Sequence, residues 1–206
     1  FIIMENAQGI LLIGNTKGGT IYRNGSFQVA IPPEVTASRR VWAFAQAADG
    51  AVWAATENGL VRWDKGVSKL YQQADGLPTN RLRTLAFDRE GTLWIGTSGG
   101  GLVAFSAGQF KTLNPANGFP HLEVRSVLAD PKGGVWAATA GGGLAHVDHG
   151  VIKTYTVADG LPTDQLTMLA RDAQGSLWIG TWGAGVSRFS DGRFTSISTA
   201  GGLAGE

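Results

Sequence analysis

The chain has 206 residues, 31 of them glycine and seven tryptophan, with 17 basic against 16 acidic side chains and no cysteine. A formal charge of +1 predicts neither electrostatic capture of nucleic acid nor docking on an anionic membrane. Without cysteine there is no disulfide and no thiolate metal site, and no run of 18 apolar residues offers a membrane span.

Read in chain order, the sequence repeats. Gly9, Gly50, Gly91, Gly133 and Gly175 each open a short apolar run. Trp53, Trp94, Trp136 and Trp178 stand three residues after the last four of them, spaced 41, 42 and 42 apart, and Leu12 fills the slot in the first copy. A period in this range marks solenoids, propellers and arrays. The copies divide at about 1–37, 38–79, 80–121, 122–163 and 164–206, read together as one domain or segment over 1–206. Each holds four strand-like runs; in the third they are Leu82–Phe87, Thr92–Gly96, Leu102–Phe105 and Phe110–Leu113. No helical apolar stripe of ten or more residues interrupts them.

The turns follow the same order. Asn6-Ala-Gln-Gly9, Asp88-Arg-Glu-Gly91, Asp130-Pro-Lys-Gly133 and Asp172-Ala-Gln-Gly175 join first to second strands with type I chemistry, the Asp or Asn oxygen capping the turn's own amides. The second copy has Ala47 in that position. Third and fourth strands meet at Asn24-Gly25, Lys65-Gly66, Ala107-Gly108, His149-Gly150 and Asp191-Gly192, of which the first and last are the strong hairpin signals. Asp75-Gly-Leu-Pro78, Asn117-Gly-Phe-Pro120 and Asp159-Gly-Leu-Pro162 link the copies, and Gly201-Gly-Leu-Ala204 reads as the start of another. The expected fold is therefore all-β, a β-propeller of four-stranded antiparallel blades with five repeats present. The near-integral count, starting inside one first strand and stopping before the next, is expected of a stretch within a longer array.

Gly91-Thr-Leu-Trp-Ile-Gly-Thr97 followed by Gly99-Gly-Gly-Leu102, and Gly175-Ser-Leu-Trp-Ile-Gly-Thr181 followed by Gly183-Ala-Gly-Val186, together with the Gly-Leu-Pro linkers, resemble the two-component regulator propeller repeat. The resemblance is carried by copies three to five, less fully by Ala51-Val-Trp-Ala-Ala-Thr56, and least by Leu11-Leu12-Ile-Gly-Asn15. It implies a periplasmic or extracellular sensor module of a membrane-anchored bacterial signalling protein, with a histidine kinase or diguanylate cyclase as output. It also implies a seven-bladed parent ring, with a closed five-bladed ring as the alternative. No cofactor is implied, and the expected partner is a small molecule or glycan, with self-association through the parent protein.

Trp53, Trp94, Trp136 and Trp178 are expected to fill one packing slot between blades. Trp182 differs, standing in the turn after a second strand where other copies have Lys17, Glu57, Ser98 and Ala140, and it is a ligand-contact candidate. In a propeller the first strand of each blade lines the channel. Counting back ten residues from each opening glycine gives Arg40, Arg81, Glu123 and Gln165, and counting back eight gives Phe1, Trp42, Arg83, Arg125 and Thr167. Arg40, Arg81, Arg83, Arg125, Glu123 and Gln165 therefore form the candidate ligand ring, suited to an anionic or hydroxylated molecule. His146 shares its slot with Arg62, Ala104 and Arg188, and His149 is a hairpin tip; both read as exposed positions that accept any residue. No metal ligand set and no catalytic motif stands out, so the chain reads as a recognition module. The competing readings are an enzyme of the streptogramin-lyase type and a protein–protein scaffold like the WD-repeat propellers.

Overall fold

The computed structural model describes residues 2–6, 9–37 and 40–198. The Phe1 slot and the repeat start at Gly201-Gly-Leu-Ala204 lie outside them. Among the described residues twenty strands form five four-stranded antiparallel sheets, each a simple meander. The first blade is β1 (Ile2–Glu5), β2 (Leu11–Asn15), β3 (Gly18–Arg23) and β4 (Ser26–Ile31), and the second is β5 (Val41–Gln46), β6 (Val52–Thr56), β7 (Gly59–Asp64) and β8 (Val67–Tyr71). The third is β9 (Leu82–Phe87), β10 (Leu93–Thr97), β11 (Leu102–Ser106) and β12 (Gln109–Leu113). The fourth is β13 (Val124–Ala129), β14 (Val135–Thr139), β15 (Leu144–Asp148) and β16 (Val151–Tyr155), and the fifth is β17 (Leu166–Arg171), β18 (Leu177–Thr181), β19 (Val186–Ser190) and β20 (Arg193–Ile197). The strands expected in the third copy occur within a residue of their observed ends.

First strands of successive blades lie side by side, with β5, β9, β13 and β17 in mutual contact, so they are the innermost layer. The core lies between blades. Trp53 of the second blade stacks on Tyr71 at 5.8 Å and meets Phe105 of the third at 5.3 Å. Trp136 of the fourth meets Phe189 of the fifth at 5.5 Å. Trp94 packs with Val135 and Val147 of the fourth. Trp53, Trp94 and Trp136 thus pack between blades, and their rings supply the large apolar area that a meander with two faces must bury.

The turn aspartates do more than cap their turns. Asp88, Asp130 and Asp172 each accept a turn amide on Oδ1, and on Oδ2 each accepts the indole N–H of the tryptophan six residues on, at 2.7, 2.8 and 2.8 Å. Hydrogen bonding to Trp178 is the main cause holding the Asp172 carboxyl below its ordinary value.

Short helical turns are the feature that the strand pattern did not foretell. One α-turn covers Pro33–Thr36, and 3-10 turns cover Gln73–Asp75, Pro115–Asn117 and Val157–Asp159 ahead of the linkers. The side chains of Asp75, Asn117 and Asp159 fold back onto the amides of Gln72, Asn114 and Thr156 at 2.7–2.8 Å. Leu77, Phe119 and Leu161 of the linkers are then buried between blades. Local carboxylate or amide caps make these turns without an apolar stripe, which is why periodicity missed them.

All five outer hairpins have the same conformation. Asn24, Lys65, Ala107, His149 and Asp191 have φ between 46° and 51°, and the glycine after each also has positive φ. That is the paired left-handed geometry matching strand twist, at which a non-glycine residue without a short polar side chain is strained. Ala107→Asn is expected to raise the unfolding free energy by about 0.5–1 kcal/mol, read by urea denaturation. An unchanged midpoint would show that the tip is not strained.

Candidate functional site

Each of the last four blades begins with a β-bulge. Registers slip between Val41 and Ala43, between Val124 and Ser126, and between Leu166 and Met168, while Leu82 and Thr84 oppose the adjacent Thr97 and Gly96. Trp42, Arg83, Arg125 and Thr167 are the extra residues. A bulge leaves its extra residue unpaired and re-aims the side chain. The residues counted back eight are thus set apart from their strands at one end of the inner layer, opposite to the Asp–Trp brackets.

A backbone rim joins them. Glu57, Ser98, Ala140 and Trp182 donate their amides to the carbonyls of Arg40, Arg81, Glu123 and Gln165 at 2.9–3.2 Å. Ser98 and Ala140 also bridge forward to Glu123 and Gln165 of the following blades. Ser98 and Ala140 are therefore clamped between the start of their own blade and the start of the next. The backbone of Arg40, Arg81, Glu123 and Gln165 thus lies at one end of the inner layer.

Side chains complete a belt. The guanidinium carbons of Arg40 and Arg83 lie 4.6 and 4.8 Å from the centre of the Trp42 ring, and Trp42 donates to Glu57 Oε1 at 3.2 Å. Arg83 Nε donates to Ser98 Oγ at 2.7 Å, and Ser98 donates to Glu123 Oε1 at 3.0 Å, with Arg83 Nε itself 3.7 Å from that carboxylate. The Arg125 guanidinium lies 5.6 Å from the centre of the Trp182 ring, and Trp182 is 71% exposed. Such ion pairs in water are worth under about 1 kcal/mol. The belt is better suited to positioning than to stabilising: four guanidiniums face two carboxylates, and two indoles offer flat apolar surface.

Trp42, Glu57 and Ser98 were not among the expected site residues. Trp42 stands in the same column as Arg83 and Arg125. Ser98 has the smallest of signals, a serine where the slot varies. Its role as the link between Arg83 and Glu123 depends on two blades meeting.

His146 corrects the expectation of an indifferent exposed slot. Its side chain is 22% exposed, its ring centre lies 4.3 Å from that of Trp136, and Nε2 lies 3.1 Å from Asp130 Oδ2. The slot is the cross-strand neighbour of the tryptophan. Arg188 covers Trp178 there at 5.9 Å and donates to Ser176. His149 is exposed, with Nδ1 2.7 Å from Asp148 Oδ1. Among the described residues no group of three or more His, Cys, Asp or Glu side chains is gathered where a metal ion would sit.

The family described as two component regulator propeller matches residues 76–99 and 160–183, which are a linker, first strand and second strand in the third and fifth blades. Two stretches of the chain thus match the two component regulator propeller repeat. A comparison with curated protein sequences finds no match. Among solved structures, the chain resembles the extracellular domain of BT3049, described as a hybrid two component system of B. thetaiotaomicron, with TM-score 0.84 and 21% identity over 98% of this chain and 29% of that one. It also resembles the extracellular domain of BT4673 from the same organism, described as a one component system, with TM-score 0.75 and 18% identity over 95% of this chain and 30% of the other. Virginiamycin B lyase from Staphylococcus aureus has TM-score 0.79 and 15% identity over 97% of this chain and 70% of its own. These likenesses establish the propeller fold, and the chain spans about three-tenths of the length of the two extracellular domains.

Proposed function

We propose that this propeller is a non-catalytic ligand-sensing module on the extracytoplasmic side of a membrane-anchored bacterial signalling protein, with a histidine kinase or diguanylate cyclase as output. The observation that supports it most is the belt. Arg83 is held between the Trp42 face and the Ser98–Glu123 pair, and Arg125 is laid beside an exposed Trp182. Cationic forks beside aromatic faces recognise a ring that carries an acid group, such as a sugar acid. Because the belt draws on four blades, a ligand there would favour one relative arrangement of blades and pass that preference to an attached domain. The repeat family and the likeness to extracellular domains of a hybrid two component system and a one component system agree with this reading.

D-glucuronate is a suitable probe, with D-glucose as its neutral match. In proton–nitrogen NMR spectra, glucuronate is expected to shift the indole signals of Trp42 and Trp182 saturably and to leave those of buried Trp53 and Trp136 in place. Arg83→Ala is expected to weaken that binding about tenfold, the loss of a hydrogen bond to a charged group. Shifts that are absent, or that spread over all seven indoles, would overturn the belt as the site. The lyase likeness supports a second, enzymatic reading only at the level of fold; turnover of a streptogramin substrate with magnesium would establish it.

A further inference from the structure

The belt has one notch, at the fourth blade. Where the second, third and fifth blades place Glu57, Ser98 and Trp182, the fourth places Ala140, followed by Gly141, Gly142 and Gly143. Gly141 has φ +121° and is exposed, and a methyl group built on it would lie 3.3 Å from Gln165 Nε2 and 3.7 Å from His121 Nε2. Two nitrogens from two blade starts therefore lie within 4 Å of the same point above the exposed Gly141 backbone.

Both are donors. His121 Nδ1 accepts the Glu123 amide at 3.0 Å, so it carries no proton, and the neutral ring holds its proton on Nε2. Gln165 Nε2 is the amide end of its side chain. The two carboxylates nearest the notch are committed elsewhere. Glu123 accepts from Ser98, with Arg83 alongside, and Asp164 accepts the Val157 amide at 2.9 Å. Backbone amides around the notch are also used, those of Gly141 and Gly143 by the Asp164 carbonyl and that of Gly142 by Thr139 Oγ1.

We propose that His121 Nε2–H and Gln165 Nε2–H form a two-donor subsite over Gly141 that takes a carboxylate oxygen of the ligand, making His121 and Gln165 specificity-determining residues. This rests on the belt as the binding site and adds the point at which an acid group is told from a hydroxymethyl group. Along the rim the donors come between Glu123 of the Arg83 network and Trp182, whose amide is bound to the Gln165 carbonyl. A carboxylate accepting two N–H bonds gains more than a neutral oxygen does, and the difference between two sugars identical but for that group isolates it.

The test uses Gln165→Leu and Gln165→Glu, both at an exposed side chain, with D-glucuronate and D-glucose as probes read by the Trp182 indole signal. Gln165→Leu is expected to weaken glucuronate binding about tenfold while leaving glucose within twofold. Gln165→Glu, which sets like charges together, is expected to weaken glucuronate further and to leave glucose near the wild-type value. In the intact protein, long-range proton–nitrogen spectra of the histidines are expected to show His121 as the Nε2–H tautomer, its Nε2 signal moving with glucuronate and not with glucose. Equal glucuronate affinity in the wild type and both variants would overturn the subsite while leaving the belt standing. Failure of either sugar to move the Trp42 and Trp182 signals in the wild type would overturn both. Equal weakening of both sugars would mean that Gln165 shapes the mouth without reading the acid, which also overturns the proposal.

Discussion

Asp130→Ala is expected to lower the unfolding free energy by about 3 kcal/mol, the largest loss for any change at the turn aspartates. Asp130 is 7% exposed. Its Oδ2 accepts the Trp136 indole N–H and its Oδ1 the Lys132 amide, while Arg171 Nη2 reaches Oδ1 from the next blade at 3.5 Å. His146 Nε2 lies beside the same carboxylate, and neither it nor Arg171 Nε has another hydrogen-bond partner. Removing the acceptor leaves a buried indole donor unsatisfied and a guanidinium without its counter-charge, and unpaired buried groups cost more than the mean hydrogen bond. Asp172→Ala should cost less, because that aspartate is half-buried and no arginine from a further blade meets it among the described residues. The second blade shows what the carboxylate is not needed for. Trp53 has Ala47 in the corresponding slot and still packs on Tyr71 and Phe105. Urea denaturation followed by tryptophan fluorescence gives the comparison. A loss under 1 kcal/mol for Asp130→Ala, or one no larger than for Asp172→Ala, would refute the argument.

The second large effect is expected in the inner hairpins. Across β1–β2 and β9–β10 a larger residue faces glycine: Ile2 with Gly14 and Thr84 with Gly96. Across β5–β6 and β13–β14 a smaller residue faces alanine: Ala43 with Ala55 and Ser126 with Ala138. The two positions share one space, and volume removed from one strand is returned by the other. A methyl group on Gly96 would lie 2.4 Å from Thr84 Cγ2 and 2.8 Å from Val124 Cγ1 of the next blade. Gly96→Ala is therefore expected to destabilise by about 2 kcal/mol through overpacking. Thr84→Ala should return roughly half of that in the double variant. The rescue is partial because Val124 remains in place and because Thr84 Oγ1 accepts the Val127 amide at 3.2 Å, a tie between adjacent blades that alanine lacks. Strictly additive losses in the double-mutant cycle would refute shared volume as the cause.

The blades themselves were legible in the residues. Alternating short runs, turn signals and a tryptophan every 41 or 42 residues specify a four-stranded meander and its packing slot, because those contacts recur at constant separation in every copy. The candidate ring was partly legible for the same reason. Arg81, Glu123 and Gln165 fall in one column, and a propeller turns a column into a circle. What one column cannot express is the contact between different columns of different blades. Ser98 and Glu123 are 25 residues apart and stand in different columns, and they meet only because adjacent blades are set side by side. The second bond of each turn aspartate was hidden similarly, since a type I turn accounts for Asp130 without Oδ2 being needed. The notch at Gly141 is further from view still. It consists of a missing Cβ, a histidine tautomer set by the Glu123 amide, and a glutamine from the next blade. The sequence alone thus determined the repeat, the strands and the inter-blade tryptophans, which depend on local pattern and period. Tertiary structure alone decided which polar groups share a mouth, because that depends on how far each blade is rotated against its neighbour.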